Sequence, residues 1–480
     1  MSWRRVCWVA ILPLLSLTAC SLQPVYERPP LPVPAALPEG GVYALAGAVA
    51  PPVVRYQDVY TDPRLQKLVE RALLNNRDLR TAAANIERTR ALYRIQRAAL
   101  LPEVDANAGV SRIDRGTARG GTSGAATTSN TYSVDVGSTA FELDLFGRVR
   151  SLGDAALNRY FATDAAAQST RLALVGDIGV AWLTYASDSS LLAIAERTAE
   201  SAGRSVELTR RRLQGGVAPR IDVRQAELVL ATAQSDVARQ RTALAQDVNA
   251  LQLLLGEPVD PALLPGSIDS AADTLADLPS GLDSAVLLRR PDVAQAEYNL
   301  RAANADIGAA RAALFPRVSL TAVVGFASNT LGSLFSSGAF NYQLGPGIRY
   351  PIFQAGAGLA NVEASRAQRD GLVASYERSI QNAFRDVADA LARRGTIDEQ
   401  LAASRRLVEA SQDNFRLADA RYRNGVANFL QSLDAQRSLY TAERTLAQTR
   451  LTQGLNRVAV YRALGGDTLG EAVNRAVSTP

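Results

Sequence analysis

The 480-residue chain contains no histidine, which excludes His-based triads, His general bases and imidazole metal ligands. Met1 is its single methionine, so no thioether path for soft metals follows it. The two cysteines, Cys7 and Cys20, sit in the first 20 residues and leave no disulfide core. Lys67 is the only lysine. Arginine supplies the rest of the basic charge, interspersed with Asp and Glu, so a net charge of +5 does not by itself point to nucleic acid. No run of about 18 apolar residues occurs beyond the N-terminus, which excludes a polytopic helical membrane protein. With 47% apolar residues the chain is too apolar for disorder, and it is long enough for a large core or several domains. There is no Gly-rich phosphate loop of Walker type, no metal-ligand cluster and no evident carboxylate pair for catalysis. A non-enzymatic protein without a resident cofactor is expected.

The N-terminus reads as an address. Met1–Arg5 is basic, and Val6–Leu15 is apolar but too short to span a bilayer. Leu17-Thr18-Ala19-Cys20 resembles a bacterial lipobox, whose cleavage leaves Cys20 as a lipidated N-terminus; the alternative is a plain signal peptide with a chance cysteine. Several acyl chains anchor stably. Ser21 leaves sorting to the outer membrane open. Loss of residues 1–19 removes Arg4 and Arg5, lowering the formal charge from +5 to +3. Residues 24–52, rich in Pro, Ala and Gly, read as an extended strap, and a lipidated strap is expected over 20–60.

The rest of the chain is written twice. Arg97-Ala98-Ala99-Leu100-Leu101-Pro102 recurs as Arg311-Ala312-Ala313-Leu314-Phe315-Pro316, and Gly216-Val217-Ala218 recurs as Gly425-Val426-Ala427. The copies are ~210 residues apart, which marks a duplicated domain and not a solenoid unit. The first repeat is placed at 61–265, with strands at 103–115 and 131–144 and a helical hairpin over 148–256. The second is placed at 266–480, with strands at 317–328 and 341–350 and a hairpin over 356–464. Ala357–Arg423 contains no Pro and would reach ~100 Å as one helix. Val223, Leu230, Val237, Leu244 and Leu251 recur every seven residues, a coiled-coil signal. In the second copy Leu439, Leu446 and Val460 repeat the stripe, with Gln453 interrupting it.

The alternating segments argue against a simple helical rod. Val104, Ala106, Ala108 and Val110 alternate with Asp105, Asn107, Gly109 and Ser111. Tyr342, Leu344, Ile348 and Tyr350 share one parity against Asn341, Gln343 and Arg349. Strands of ~10 residues can cross a bilayer at a tilt. Open sheet edges cannot face lipid, and four strands cannot close a barrel, so closure requires several copies. Two copies give eight strands; three give twelve, which better suits an open pore. A small soluble sandwich is the alternative reading of the strands. Gly120-Gly121-Thr122-Ser123-Gly124 reads as a flexible outward-facing loop.

Together these features resemble the TolC-type outer-membrane efflux proteins, in the NodT-like lipoprotein branch that serves resistance-nodulation-division pumps. The resemblance rests on the lipobox, on Phe141-Glu142-Leu143-Asp144-Leu145-Phe146-Gly147-Arg148, on the two helix ends before Pro102 and Pro316, on Arg421-Tyr422-x-x-Gly425-Val426, on Leu433-Asp434-Ala435-Gln436-Arg437, and on Tyr461-Arg462-Ala463-Leu464-Gly465-Gly466. It covers nearly the whole mature chain. It implies an α+β membrane protein: a homotrimeric 12-stranded β-barrel, four strands per chain, continued by a 12-helix periplasmic α-barrel with a mixed equatorial belt. It implies a passive exit duct in the outer membrane, with a periplasmic membrane-fusion adaptor and an inner-membrane pump as partners and outer-membrane lipid around it.

The resemblance also places a gate at the periplasmic tip, where the turns around Gly216 and Gly425 would meet the adaptor. The matching positions are Leu430, Asp434 and Arg437 in the second copy, and Asp222 in the first. Three-fold symmetry would make each Asp a ring that favours cations. Asp434 and Arg437 share a helix face and are spaced to pair. Gln431 stands where some relatives carry another acid. Asp222, three residues after Pro219, serves equally as a favourable charge in a first helical turn. Tyr422 reads as an interhelical brace or as simple packing. Cargo stays open among drugs, other toxic organics and secreted polypeptides. Absent His and mature Met weigh against a dedicated copper or silver duct. A periplasmic coiled-coil lipoprotein scaffold is the reading from another class.

Overall fold

The computed structural model describes residues 21–38, 40–43, 55–114, 128–276 and 284–466. Cys20, the signal segment and the 120–124 loop lie outside them. In chain order the elements are α1 (Tyr56–Val59), α2 (Pro63–Asn75), α3 (Arg77–Ala98), β1 (Asp105–Asp114), β2 (Thr128–Leu143), α4 (Arg148–Gln214), α5 (Arg220–Leu255), α6 (Ile268–Ala272), α7 (Pro291–Ala312), β3 (Arg317–Ser328), β4 (Phe340–Arg349), α8 (Ala357–Arg423) and α9 (Phe429–Ala463). The chain divides into two units. One takes residues 1–29, 86–163 and 296–376, the other 30–85, 164–295 and 377–480.

The first unit holds the sheet, antiparallel throughout in the order β1-β2-β3-β4. Its register sorts the side chains by polarity. Ala106, Val136, Val324 and Tyr342 line up across the four strands on one face, and Ala108, Val134, Phe326 and Phe340 on the same face. The opposite face carries Asn107, Asp135, Gly325 and Asn341 in one row. The parity of β2 changes at a bulge between Ser138 and Phe141. There Ala140 takes φ 55° and donates its N–H to Thr321 Oγ1 at 3.1 Å. A one-residue slip reverses the faces. The bulge therefore puts Phe141 and Leu143, and not Glu142, beside Leu320 and Val318. On the apolar face Tyr342, Leu344 and Ile348 are 76%, 69% and 73% exposed. Among the described residues β1 and β4 have no partner strand beyond them.

The motif at 141–148 turns strand into helix. Arg148 grips the Glu142 carboxylate at 2.8 and 2.6 Å. Asp144 accepts from the N–H groups of Val149 and Arg150, capping α4, and Phe146 stacks on Phe315 at 4.8 Å. Nearby the N-terminal strap runs antiparallel to α7. Arg311 donates to the carbonyl of Leu22, Asn304 to that of Pro24, and Arg28 to the buried Glu297 carboxylate. Gly308 lets the strap approach, since a Cβ there would come within 2.8 Å of Gln23 Cα.

The second unit is held by a core containing Trp182, Tyr60, Tyr461, Leu65, Leu68, Leu251 and Leu255, all fully buried. Trp182 Nε1 donates to the Leu263 carbonyl and the Tyr60 hydroxyl to that of Val175, both at 3.1 Å. Asn76 caps α3 through the N–H groups of Asp78 and Leu79, and Gly256 ends α5 at φ 73°. Gln453, which interrupts the heptad stripe of α9, is buried and donates to Asp398 at 3.0 Å, while Arg450 pairs with Asp269 and Asp273. In α4 one stretch is apolar and long enough to cross a membrane, but half of it is buried within the chain.

Candidate functional site

The two hairpin turns, between α4 and α5 and between α8 and α9, share one backbone design. Gly216 donates to the Leu213 carbonyl and Val217 to that of Arg212, at 3.0 and 2.9 Å. Gly425 donates to Tyr422 and Val426 to Arg421 at the same two distances. Gly216 has φ 72° and Gly425 φ 74°, a left-handed conformation in which a Cβ is strained. The α9 start is capped by Asn428, whose side chain accepts from Gln431 N–H at 3.2 Å; α5 begins after Pro219 without a side-chain cap.

A small core ties the second hairpin to the first. Tyr422, Phe429 and Leu433 are 3%, 2% and 1% exposed and pack against Val206 and Ala226. The Tyr422 and Phe429 rings lie 5.2 Å apart. Arg212, half-buried at the end of α4, donates from Nη1 to the Tyr422 carbonyl at 2.9 Å, and its guanidinium lies 4.5 Å from the centre of the Tyr422 ring. The Tyr422 hydroxyl is buried and has no hydrogen-bond partner among the described residues. The Tyr422 ring packs in this core, and its backbone carbonyl accepts from Arg212 of the other hairpin.

The other candidates fall on different surfaces. Leu430 is 48% exposed, and Asp434 and Arg437 are exposed as well. At i, i+4 and i+7 they form one exposed stripe of α9, flanking the buried Phe429 and Leu433. Among the described residues no ion pair joins Asp434 to Arg437. Asp222 is half-buried in the first turn of α5. Burial raises its carboxyl pKa, and the nearby Arg212 charge opposes that rise.

Sequence reasoning misses Arg212 and Phe429. The run Arg210-Arg211-Arg212 before a Gly-Gly turn is the available signal, but three neighbouring arginines have three destinations. Arg210 pairs with Glu227 on α5, Arg211 with Glu207 on its own helix, and Arg212 reaches the other hairpin. Farther along the helices, the buried Asp236 of α5 accepts from the Tyr440 hydroxyl of α9 and pairs with Arg239. Among the described residues no group of three or more His, Cys, Asp or Glu side chains is placed to hold a metal ion.

The family model described as outer membrane efflux protein matches residues 68–257 and again 282–466, once for each repeat. The chain belongs to the outer membrane efflux protein family. It is similar to a toluene efflux pump outer membrane protein of Pseudomonas putida, TtgC, 44% identical over 470 residues, covering 97% of each chain. It is equally similar to the antibiotic efflux pump outer membrane protein ArpC of Pseudomonas putida, at 44% over 470 residues and 97% of each. Among solved structures, the open state of the Neisseria gonorrhoeae MtrE outer membrane channel matches with TM-score 0.82 and 36% identity over 94% of this chain and 99% of that one. The channel therefore has the fold of its family, a trimeric β-barrel continued by a helical barrel, and each chain contributes the four-stranded sheet and the two long hairpins. Its place is the outer membrane. The family is one of transport channels, not enzymes.

Proposed function

We propose that this protein is the passive exit duct of a tripartite efflux system. It takes small toxic organic molecules from an inner-membrane pump of resistance-nodulation-division type through a periplasmic membrane-fusion adaptor, and it is gated at its periplasmic tip. The stripe Leu430–Asp434–Arg437 carries this reading. It is solvent-exposed on α9, while Phe429 and Leu433, on the adjacent side of the same turns, are locked into the tip core. Repeated by three-fold symmetry, Asp434 forms a ring of carboxylates beneath a ring of Leu430 side chains. Such a ring attracts cations and narrows the opening. Asp222 adds a second acid from the first hairpin, and Tyr422 braces the pair of hairpins. The turns at Gly216 and Gly425 present the surface for the adaptor.

The apolar sheet face, with Tyr342, Leu344 and Ile348 outward, suits contact with lipid, and the row Asn107–Asp135–Asn341 suits a watery lumen. The strap supports anchoring through Cys20. Running antiparallel to α7, it brings residue 21 beside the end of α7 that leads through Pro316 into β3. A lipid on Cys20 would then enter the membrane that the sheet crosses. Cys20→Ser is expected to abolish acyl labelling. Toluene-named and antibiotic-named relatives are equally similar, so cargo choice is assigned to the partner pump, with drugs and solvents as the expected class. No nucleic-acid partner, bound cofactor or resident metal is proposed; the covalent lipid is the only added group.

The test is Asp434→Ala in planar bilayers. Cation selectivity is expected to fall and conductance to rise. Unchanged selectivity and conductance would remove the gate from this position.

A further inference from the structure

We infer that Arg212 is the latch between the two hairpins at the tip, a positioning residue through which the first hairpin controls the second. The inference rests on the gate reading above and names its fastening. Arg212 touches two groups and acts through its charge on a third. It donates to the Tyr422 carbonyl at 2.9 Å, it covers the Tyr422 ring at 4.5 Å, and its charge acts on Asp222 of its own hairpin. The Tyr422 carbonyl lies in the last turn of α8; it already accepts from Gly425 N–H and offers Arg212 its second lone pair, at an end where the helix dipole favours a cation. A planar guanidinium can serve the carbonyl and the ring at once; a lysine ammonium cannot.

The arrangement is suited to release. The buried Tyr422 hydroxyl has no partner among the described residues, so the latched packing holds an unsatisfied polar group that parting of the hairpins would hydrate. When the hairpins part, the Asp222 charge stays near Arg212, because both belong to the first hairpin. A second tie, Tyr440 to Asp236, lies roughly 16 Å along α9 from Phe429 and can hold the hairpins together above the tip.

The experiment places spin labels at Val217→Cys and Val426→Cys, 74% and 69% exposed on the two turns, in trimers diluted with unlabelled chains so that the measured pair lies within one protomer. Bilayer conductance is recorded on the same variants. Arg212→Ala is expected to lengthen and broaden the turn-to-turn distance and to raise open probability about tenfold, the loss of one charge-assisted hydrogen bond and its stacking. Arg212→Lys, the milder change, is expected to shift both in the same direction by less. Tyr422→Phe keeps the carbonyl and ring and is expected to leave the distance unchanged while lowering open probability. A longer distance with unchanged conductance upholds the latch and removes the gate reading. An unchanged distance in both Arg212 variants overturns the latch, whatever the conductance does. So does a Tyr422→Phe variant that opens like Arg212→Ala.

Discussion

The two hairpin tips have the same backbone and opposite side chains. Their turns make the same hydrogen bonds, and α4 and α8 are each 67 residues long. Tyr422, Phe429 and Leu433 stand where the first copy has Leu213, Arg220 and Arg224. The second tip thus supplies the large aromatic anchors, while the first supplies Val206 and Ala226 beside them and the Arg212 cation over Tyr422. Duplication kept the turn, whose backbone tolerates little change, and divided the side-chain work between the copies. The aromatic anchors sit in one copy and the clasping arginine in the other, so neither tip can pack this way against a copy of itself.

Removing an anchor should separate the two tips most strongly. Phe429→Ala is expected to destabilise the tip by ~3–5 kcal/mol, the cost of emptying an aromatic site in a packed core. Ile221→Ala, at the same turn of the first copy and 61% exposed, is expected to cost less than about 0.5 kcal/mol. Local hydrogen exchange at the two turns reads both. Equal losses would show that the tips share one core evenly and that the division is wrong.

The glycines test the part that duplication preserved. Gly216→Ala and Gly425→Ala should each cost ~1–2 kcal/mol, because both positions need positive φ. An added Cβ meets nothing within 4 Å at Gly216 and only Arg212 Nη2, at 3.6 Å, at Gly425, so strain alone sets the loss. Thermal unfolding of the trimers should therefore give matching shifts. A much larger loss at Gly425 would mean that the turn also carries part of the latch.

Much of this architecture was legible in the sequence, because periodicity and repetition are local. The helix Ala357–Arg423, the alternating strands and the paired Gly-Val-Ala turns follow from spacing alone. The β2 bulge does not, since the residues from Ser138 to Phe141 read as continued alternation until β3 supplies a register. At the tip, Tyr422 is visible but its environment is not. Whether it packs or braces depends on Arg212, ~210 residues away in the chain. Leu430, Asp434 and Arg437 enter through the resemblance to the family and not through spacing; spacing alone suggests the Asp434–Arg437 pair, and its absence among the described residues shows that sharing a face does not ensure contact.

A carboxyl pair distinguishes the hairpins farther from the tip. The α4–α5 seam is tied by Arg210–Glu227 and Glu196–Arg241, yet at one level it sets Asp188 against Asp247. The second copy has Ile397 and Asn456 at these places. Burial and the Asp188 charge push the Asp247 carboxyl up to about 6. Burial also raises Asp188. A raised carboxyl stabilises the fold fully below its unfolded value near 4, and that stability is lost as pH rises through about 6. Both groups are partly exposed, so the loss is on the order of 1 kcal/mol after solvent screening. Corrected for the intrinsic rise of amide exchange with pH, protection in α5 should fall from pH 4 to 7 in the native protein and stay flat in Asp247→Asn, while protection in α9 should show no such step in either. A pH step of equal size in α9 would place the titrating group elsewhere.

The smallest effect separates function from stability at one position of the repeat. Asp434 corresponds to Gln225 in the first copy. Asp434 is exposed and free of any ion pair among the described residues, so Asp434→Asn should change stability by no more than about 0.5 kcal/mol, as should Gln225→Ala. Their ionic effects should differ. Under the proposed gate, neutralising Asp434 removes three charges from a ring around the axis, and the cation preference of the open channel should fall with it. Gln225→Ala removes no charge and should leave selectivity alone. Reversal potentials under a salt gradient make this measurement without relying on stability at all. If both variants shift them equally, tip packing controls selectivity, and the exposed α9 stripe is only a solvated face.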